Sequence, residues 1–166
     1  MIKITNVLVA TDFSDTSASA LEYGREFART FGARLHVLHV VENALMWAGP
    51  EASGIDFVQL QSDLAAAGQQ TLDRIVTKED RAQLKAVTSV RTGNSPAFDI
   101  AAYARAESID VILLGTHGRG AIGHLLMGNV AEKVVRIAPC PVLTVHHPEH
   151  EFIQPDVLVA TGTGKL

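Results

Sequence analysis

"IDVILLGTHGRGAIGHLLMGNVAEKVVRIAPCPVLTV", residues 109–145, decides the fold. It opens on an apolar run, 109–115, broken only at Asp110, as strands buried on both faces do. A glycine-rich stretch follows, then "NVAEKVVRIA" (129–138), where Val130, Val134 and Ile137 recur at helical spacing. Asn129 and Glu132 are spaced N-x-x-E, an analogue of the capping box, so Asn129 is expected to cap this helix. "CPVLTV" (140–145) is a second apolar strand.

The same alternation extends back to the N-terminus. "ITNVLVATD" (4–12), "ARLHVLHVV" (33–41) and "LKAVTSVR" (84–91) read as strands. Between the first two, Ser14 is the expected N-cap of a helix. Leu21, Gly24, Ala28 and Phe31 form its inner face and Gly32 stands at its C-terminus. "ENALMWAGPEASGID" (42–56) has no period and reads as a long loop, with Met46 and Trp47 packed locally. A helix is predicted over 57–78 with Leu60, Leu64, Ala67, Leu72 and Ile75 buried. Another opens with Ser95 as N-cap and Pro96 in its first turn, with Ile100, Ala101 and Ala104 inward. The predicted order β-α-β-α-β-α-β-α-β means an α/β protein: a parallel sheet with helices on both faces. Ligands of such sheets bind at the carboxyl ends of the strands, where strand order reverses. That selects Thr11–Asp12, Val40–Val41 and Gly115 onward. Asp12 is read as a carboxylate at that site, because the first strand is central.

Bulk properties restrict function. A chain of 166 residues suits one domain, expected over 1–147, with a tail over 148–166. The tail segment "DVLVATG" (156–162) resembles "NVLVATD" (6–12), and is either an extra edge strand or a weakly docked tail. Net charge is −4 with no basic stripe, so nucleic acid is not the expected partner. No apolar run approaches the ~18 residues of a membrane span, and the N-terminus does not read as a secretory signal. A cytoplasmic protein is expected. Cys140 is the lone cysteine and reads as a buried, inert thiol.

The glycines allow two parsings. Gly118-x-Gly120-x-x-Gly123 matches a dinucleotide fingerprint. However, "HLLMG" separates it from the helix, and no acidic residue follows ~20 positions on to hold a ribose. In the other parsing, Gly115 and Gly118 bring backbone N–H groups close to a phosphate. Gly128-Asn129 then closes the loop at a helix N-terminus, where unpaired N–H groups and the dipole favour an anion. His117 and Arg119 add donors or positive charge. The second parsing fits the chain better.

Gly115-x2-Gly118-x9-Gly128-Asn129 closely resembles the G-2x-G-9x-G-[S/T] motif of ATP-binding universal stress proteins. "VLVATDFSDTSASAL" and "LLMGNVAEKVVRIAPCPVLTV" are similar to the start and end of that family's domain, and the resemblance spans about residues 3–146. It implies a Rossmann-like three-layer α/β/α fold with a five-stranded parallel sheet of order 3-2-1-4-5, usually dimeric. The last strand, "PVLTV", is the edge available for a homodimer. By position, the resemblance implies that Ala10, Thr11 and Asp12 border the adenosine and that Val41 offers backbone groups to the adenine. Leu114, Gly115, His117 and Gly118 would line the ribose and phosphate path. Gly128, Asn129 and Val130 would hold the phosphates of ATP, ADP or AMP, with Mg2+ or Mn2+ alongside. The chain departs from the motif at Asn129, where the family has a hydroxyl; an amide also donates and accepts.

The implied function is a regulatory ATP-binding protein of the stress response, whose nucleotide occupancy modulates conformation or the choice of still unidentified protein partners. The alternatives are a member acting through protein contacts without nucleotide, and a slow ATPase. No activated nucleophile or acid–base pair emerges. His36 and His39 are three apart on a strand, hence on opposite faces, and are poor co-ligands. His146, His147 and His150 read as a solvated tail cluster. "GTGKL" (162–166) lacks the leading glycine and following helix of a phosphate loop.

Overall fold

Five parallel strands form one sheet of order β3-β2-β1-β4-β5, as expected. They are β1 (Asn6–Ala10), β2 (Arg34–Glu42), β3 (Val87–Gly93), β4 (Val111–Gly115) and β5 (Val142–Val145). The computed structural model describes residues 1–47, 54–116 and 128–146. β1 lies centrally, with Val9 opposite Val37 of β2 on one side and opposite Leu113 of β4 on the other. Apolar alternation therefore feeds two cores. Val7 and Val9 join one beneath α1 (Asp15–Phe31) and α2 (Phe57–Ile75). Leu8 and Ala10 join the other beneath α4 (Pro96–Ala106) and α5 (Asn129–Ile137). Leu8, Ile112 and Leu113 are wholly buried, and each such side chain contributes about 1.5–3 kcal/mol on leaving water.

α1 starts where Ser14 Oγ accepts the Ser17 N–H, and it ends at Gly32, whose φ of 63° few other residues adopt readily. Phe31, expected inward, is 40% exposed; Ala20 and Tyr23 fill the core instead. α2 presents part of the face expected: Leu72 is buried and Ile75 packs against the core, whereas Leu60, Leu64 and Ala67 are exposed and Gly68 is buried. The reason is steric: a Cβ on Gly68 would lie 2.9 Å from His39 Cδ2, so the helix meets the sheet through its smallest residue.

The segment expected to run from helix directly into strand contains another helix, α3 (Lys78–Gln83). Thr77 and Asp80 form a reciprocal capping box at its start, and β3 begins only at Val87. A single 3-10 turn, Ala44–Trp47, occupies the start of the loop after β2. Ser95 precedes α4 without a capping bond, and Pro96 takes the first turn as expected. At α5 the N-cap is Gly128, not Asn129. Asn129 is the first helical residue, its side chain makes no capping bond, and Glu132 pairs with Arg136. Val130 is exposed, and Ala131 packs inward with Val134.

Candidate functional site

β1 is the strand at which order reverses, and its carboxyl end opens into a cavity of about 460 Å3. Volumes of 300–1,000 Å3 are usual for small-molecule sites. The cavity has two chemically distinct ends. Leu38, Val40, Pro96 and Ile100 make an apolar slot at one, with Glu42 beside it. Gly115, Thr116, Gly128, Asn129, Val130 and Ala131 make the other, and Ala10, Thr11, Asp12 and Leu114 lie on the wall as well.

The glycine-loop end gathers the N–H donors of a helix N-terminus, which favour negative charge. The Gly128 N–H donates to the Thr116 carbonyl, and the Gly128 carbonyl accepts the Glu132 N–H at 2.9 Å. The N–H groups of Asn129, Val130 and Ala131 are then the leading donors of α5, without intrahelical acceptors, and all three residues line the cavity. Because Gly128 holds the cap position, the Asn129 amide has no capping duty. Gly115 has a packing role too: a Cβ there would lie 2.8 Å from Thr16 Cγ2 and 3.1 Å from the Thr16 carbonyl carbon. Only glycine lets the first turn of α1 approach the end of β4. His117, Gly118 and Arg119 lie outside the described residues, as do Gly120 and Gly123.

The β1–α1 turn is tightly fixed. Thr11 Oγ1 lies 3.0 Å from Ser17 Oγ and accepts the Phe13 N–H at 3.0 Å. Asp12 Oδ1 accepts the Ser14 N–H at 3.1 Å and the Ser14 hydroxyl at 2.6 Å. Burial alone would raise the Asp12 pKa, but the hydrogen bonds from Ser14 and Ser17 outweigh it and hold the carboxyl below its ordinary value. Asp12 thus stands on the cavity wall as a carboxylate. Phe13 adopts φ 64°, a left-handed conformation that costs a non-glycine residue about 1–2 kcal/mol. Its ring stacks on His39 at 4.2 Å, and His39 Nδ1 donates to the Thr11 carbonyl at 2.8 Å.

Val41 differs from the sequence reading. Its side chain is buried and it does not line the cavity, whereas Val40 and Glu42 do. Backbone direction follows the same parity. The Leu38 carbonyl faces β1, accepting the Thr11 N–H, while the Asn43 N–H faces β3, donating to Gly93. Val40 therefore presents its backbone groups on the side where β1 has already ended, and Val41 presents its own to β3. A one-residue shift exchanges the two sides of a strand, and the apolar run "VLHVV" carries nothing to fix that parity. The sequence also gave no signal for Ser17, Glu42, Thr116 or Ile100 as wall residues.

Other candidates separate from the cleft. His36 and His39 face opposite sides of the sheet, His36 against Tyr103 of α4 and His39 against Phe13. Cys140 is half-buried, and burial with the nearby Asp110 charge pushes its thiol pKa up. His146 Nδ1 lies 3.0 Å from Thr116 Oγ1; His147, His150 and the 148–166 tail, with its possible edge strand, lie outside the described residues. Among the described residues no group of three or more His, Cys, Asp or Glu is placed to hold a metal. No helix among them is long and apolar enough to cross a membrane.

A parallel sheet with a cleft at its switch point, bordered by a helix N-terminus, defines a Rossmann-like α/β protein. The model of the universal stress protein family matches residues 3–146, and the chain belongs to that family. It is 30% identical over 145 residues to universal stress protein MJ0531 of Methanocaldococcus jannaschii, covering 87% of this chain and 84% of that one. Among solved structures, universal stress protein UspA from Lactobacillus plantarum superposes with TM-score 0.74 at 26% identity, covering 87% of this chain and 99% of that one. The universal stress protein from Archaeoglobus fulgidus, in complex with dAMP, shares the fold with TM-score 0.53 at 19% identity, covering 87% and 99%.

Proposed function

We propose that the cleft binds an adenine nucleotide, ATP or its ADP and AMP forms, and that the protein is a cytoplasmic regulator of the stress response. Occupancy changes its conformation or its choice of protein partner. The observation that carries this reading is one cavity joining an apolar slot to the open N-terminus of α5. A base fits the slot against Leu38 and Ile100, with the Val40 N–H and C=O offering the donor and acceptor that match adenine. Asp12 accepts from ribose hydroxyls, and the leading N–H groups of α5 with the Asn129 amide receive phosphate. The dAMP held by the Archaeoglobus protein supports the adenine assignment.

The Asp12 carboxylate and Thr116 hydroxyl are hard oxygen donors that suit Mg2+ or Mn2+ carried in on the phosphates. The ion would neutralise phosphate charge beside Asp12 and Glu42, the acidic residues among the described lining of the cleft. The outer edge of β5 is where two copies would pair into a homodimer.

Calorimetric titration of the purified chain with ATP and Mg2+ tests the reading. Saturable binding with competition by AMP is expected. No heat at millimolar ATP, with no nucleotide recovered from the purified protein, rejects it and leaves a member that acts through protein contacts. Sustained phosphate release that Asp12→Ala abolishes would replace regulation with catalysis.

A further inference from the structure

On the α1 and α2 side of the sheet a second cavity, of about 510 Å3, lies between the two helices and meets the first at Thr11 and Ser17. The two helical layers differ in construction. α4 and α5 pack directly against each other, whereas α1 and α2 make at most marginal contact. Each is drawn down onto the sheet by a glycine instead. A Cβ on Gly24 would lie 2.3 Å from Val9 Cγ2, and one on Gly68 would lie 2.9 Å from His39 Cδ2.

The gap between the helices is braced. Arg25 on α1 donates to both oxygens of Asp80 at 3.0 Å and to the Ile75 carbonyl at 2.7 Å. Closing the groove would break this buried arrangement, so the space is preorganised.

Its lining is amphipathic in a directed way. Phe13, Leu21 and Ile75 supply apolar surface. Arg74 also lines it; this guanidinium bonds the Thr71 hydroxyl at 3.3 Å and enters none of the ion pairs among the described residues. By contrast, Arg25 is neutralised by Asp80 and Glu22. Leu60 and Leu64, at helical spacing from the cavity residue Thr71, extend the apolar flank of α2, and are 38% and 42% exposed.

We propose that this groove is a second ligand site, for an anionic amphiphile of medium chain length. The head group pairs with Arg74 and the chain lies over Leu21, Ile75 and Phe13. A polyphosphate would find one guanidinium for several charges, with the Glu22 carboxylate on the same wall committed to Arg25; a neutral apolar molecule would leave the guanidinium unmatched. The proposal does not depend on what the nucleotide-type cleft binds.

The test is a methyl-resolved NMR titration of the whole chain with decanoate below its micelle concentration. Saturable shifts at Leu21, Ile75 and Ala18 are expected. Arg74→Gln should weaken binding at least fivefold. Ala18→Phe, a change at an exposed position on the groove wall, should abolish it while leaving the remaining spectrum intact. Absence of saturable shifts overturns the proposal. So does binding that Ala18→Phe leaves unchanged, or equal affinity for decanol. Shifts centred on Leu114 and Ala131 would place the amphiphile in the other cavity and equally overturn it.

Discussion

At the scale of single residues, Asn129 shows how a helix boundary changes chemistry. As an N-cap its side-chain oxygen would be consumed by its own helix; as the first helical residue, behind Gly128, it makes no capping bond and lines the cleft. Under the nucleotide reading, Asn129→Ser restores the family's hydroxyl and should hold ATP affinity within about threefold. Asn129→Asp puts a carboxylate against phosphate at the helix N-terminus and should weaken binding at least tenfold, roughly 1.4 kcal/mol. Titration of both variants checks this, and equal affinities would remove the α5 N-terminus from the site. His36 is a different kind of buried group. It is 2% exposed, with Nδ1 3.0 Å from the Tyr103 hydroxyl and Nε2 without a partner among the described residues. Burial lowers its pKa, with Arg34 lowering it further and Glu107 opposing. Arg91 lies over the Tyr103 ring rather than on His36. The unfolded chain thus takes up this proton first as pH falls below about 6.5. Stability from neutral His36 is complete above that value and declines towards its lower folded pKa. Urea unfolding at pH 7.5 and 5.5 should show this loss. The double variant His36→Phe/Tyr103→Phe, which removes both polar partners, should lose measurably less. An unchanged pH slope in that variant would assign the acid sensitivity elsewhere.

At the scale of elements, α3 depends on one carboxylate with two functions. Asp80 accepts the Thr77 N–H at 2.9 Å in the capping box and binds Arg25 through both oxygens. Thr77→Ala removes only a cap and should cost about 0.5–2 kcal/mol. Asp80→Ala also strands the half-buried Arg25 guanidinium and should cost more, about 3–5 kcal/mol. Denaturant titration ranks the two, and an inverted order would mean that the cap, not the Arg25 brace, secures this corner. T-x-x-D was visible in the sequence, but residues 84–86, with Leu84 and Ala86 apolar, read as strand and concealed the helix before them. The strands themselves were legible, because a parallel sheet covered on both faces needs continuous apolar runs. The buried face of α2 was legible only at its C-terminal end, at Leu72 and Ile75. Leu60, Leu64 and Ala67 keep a helical period, yet close approach to His39 is possible only through Gly68, and hydropathy does not register that fit. The wall of the candidate cleft was legible where glycine spacing marked it, at Gly115 and Gly128. It was misplaced by one residue at Val41, where side-chain parity alone decides.

At the scale of the whole molecule, the cleft is built from segments far apart in the chain: the end of β1, the end of β2, the first turn of α4 and the α5 N-terminus. A ligand spanning them ties both sides of the switch point together and binds only the folded chain. Its binding free energy therefore adds to folding stability. At a nucleotide concentration of about 100 times Kd the gain is roughly 2.7 kcal/mol. For a chain of this size each kcal/mol raises Tm by about 2–4 °C, so saturating ATP with Mg2+ should raise it by roughly 5–10 °C. AMP should stabilise as well, by less, since it gives α5 only one phosphate. The nicotinamide dinucleotide should add little, because no acidic residue stands ~20 positions after the glycines, in "PVLTVHH" (141–147), to hold its ribose. Thermal unfolding followed by circular dichroism, across a series of nucleotide concentrations, checks the logarithmic dependence that linkage requires. A Tm that ignores ATP, or rises equally with any polyphosphate, would show that the apolar slot at Val40 and Ile100 takes no part in recognition.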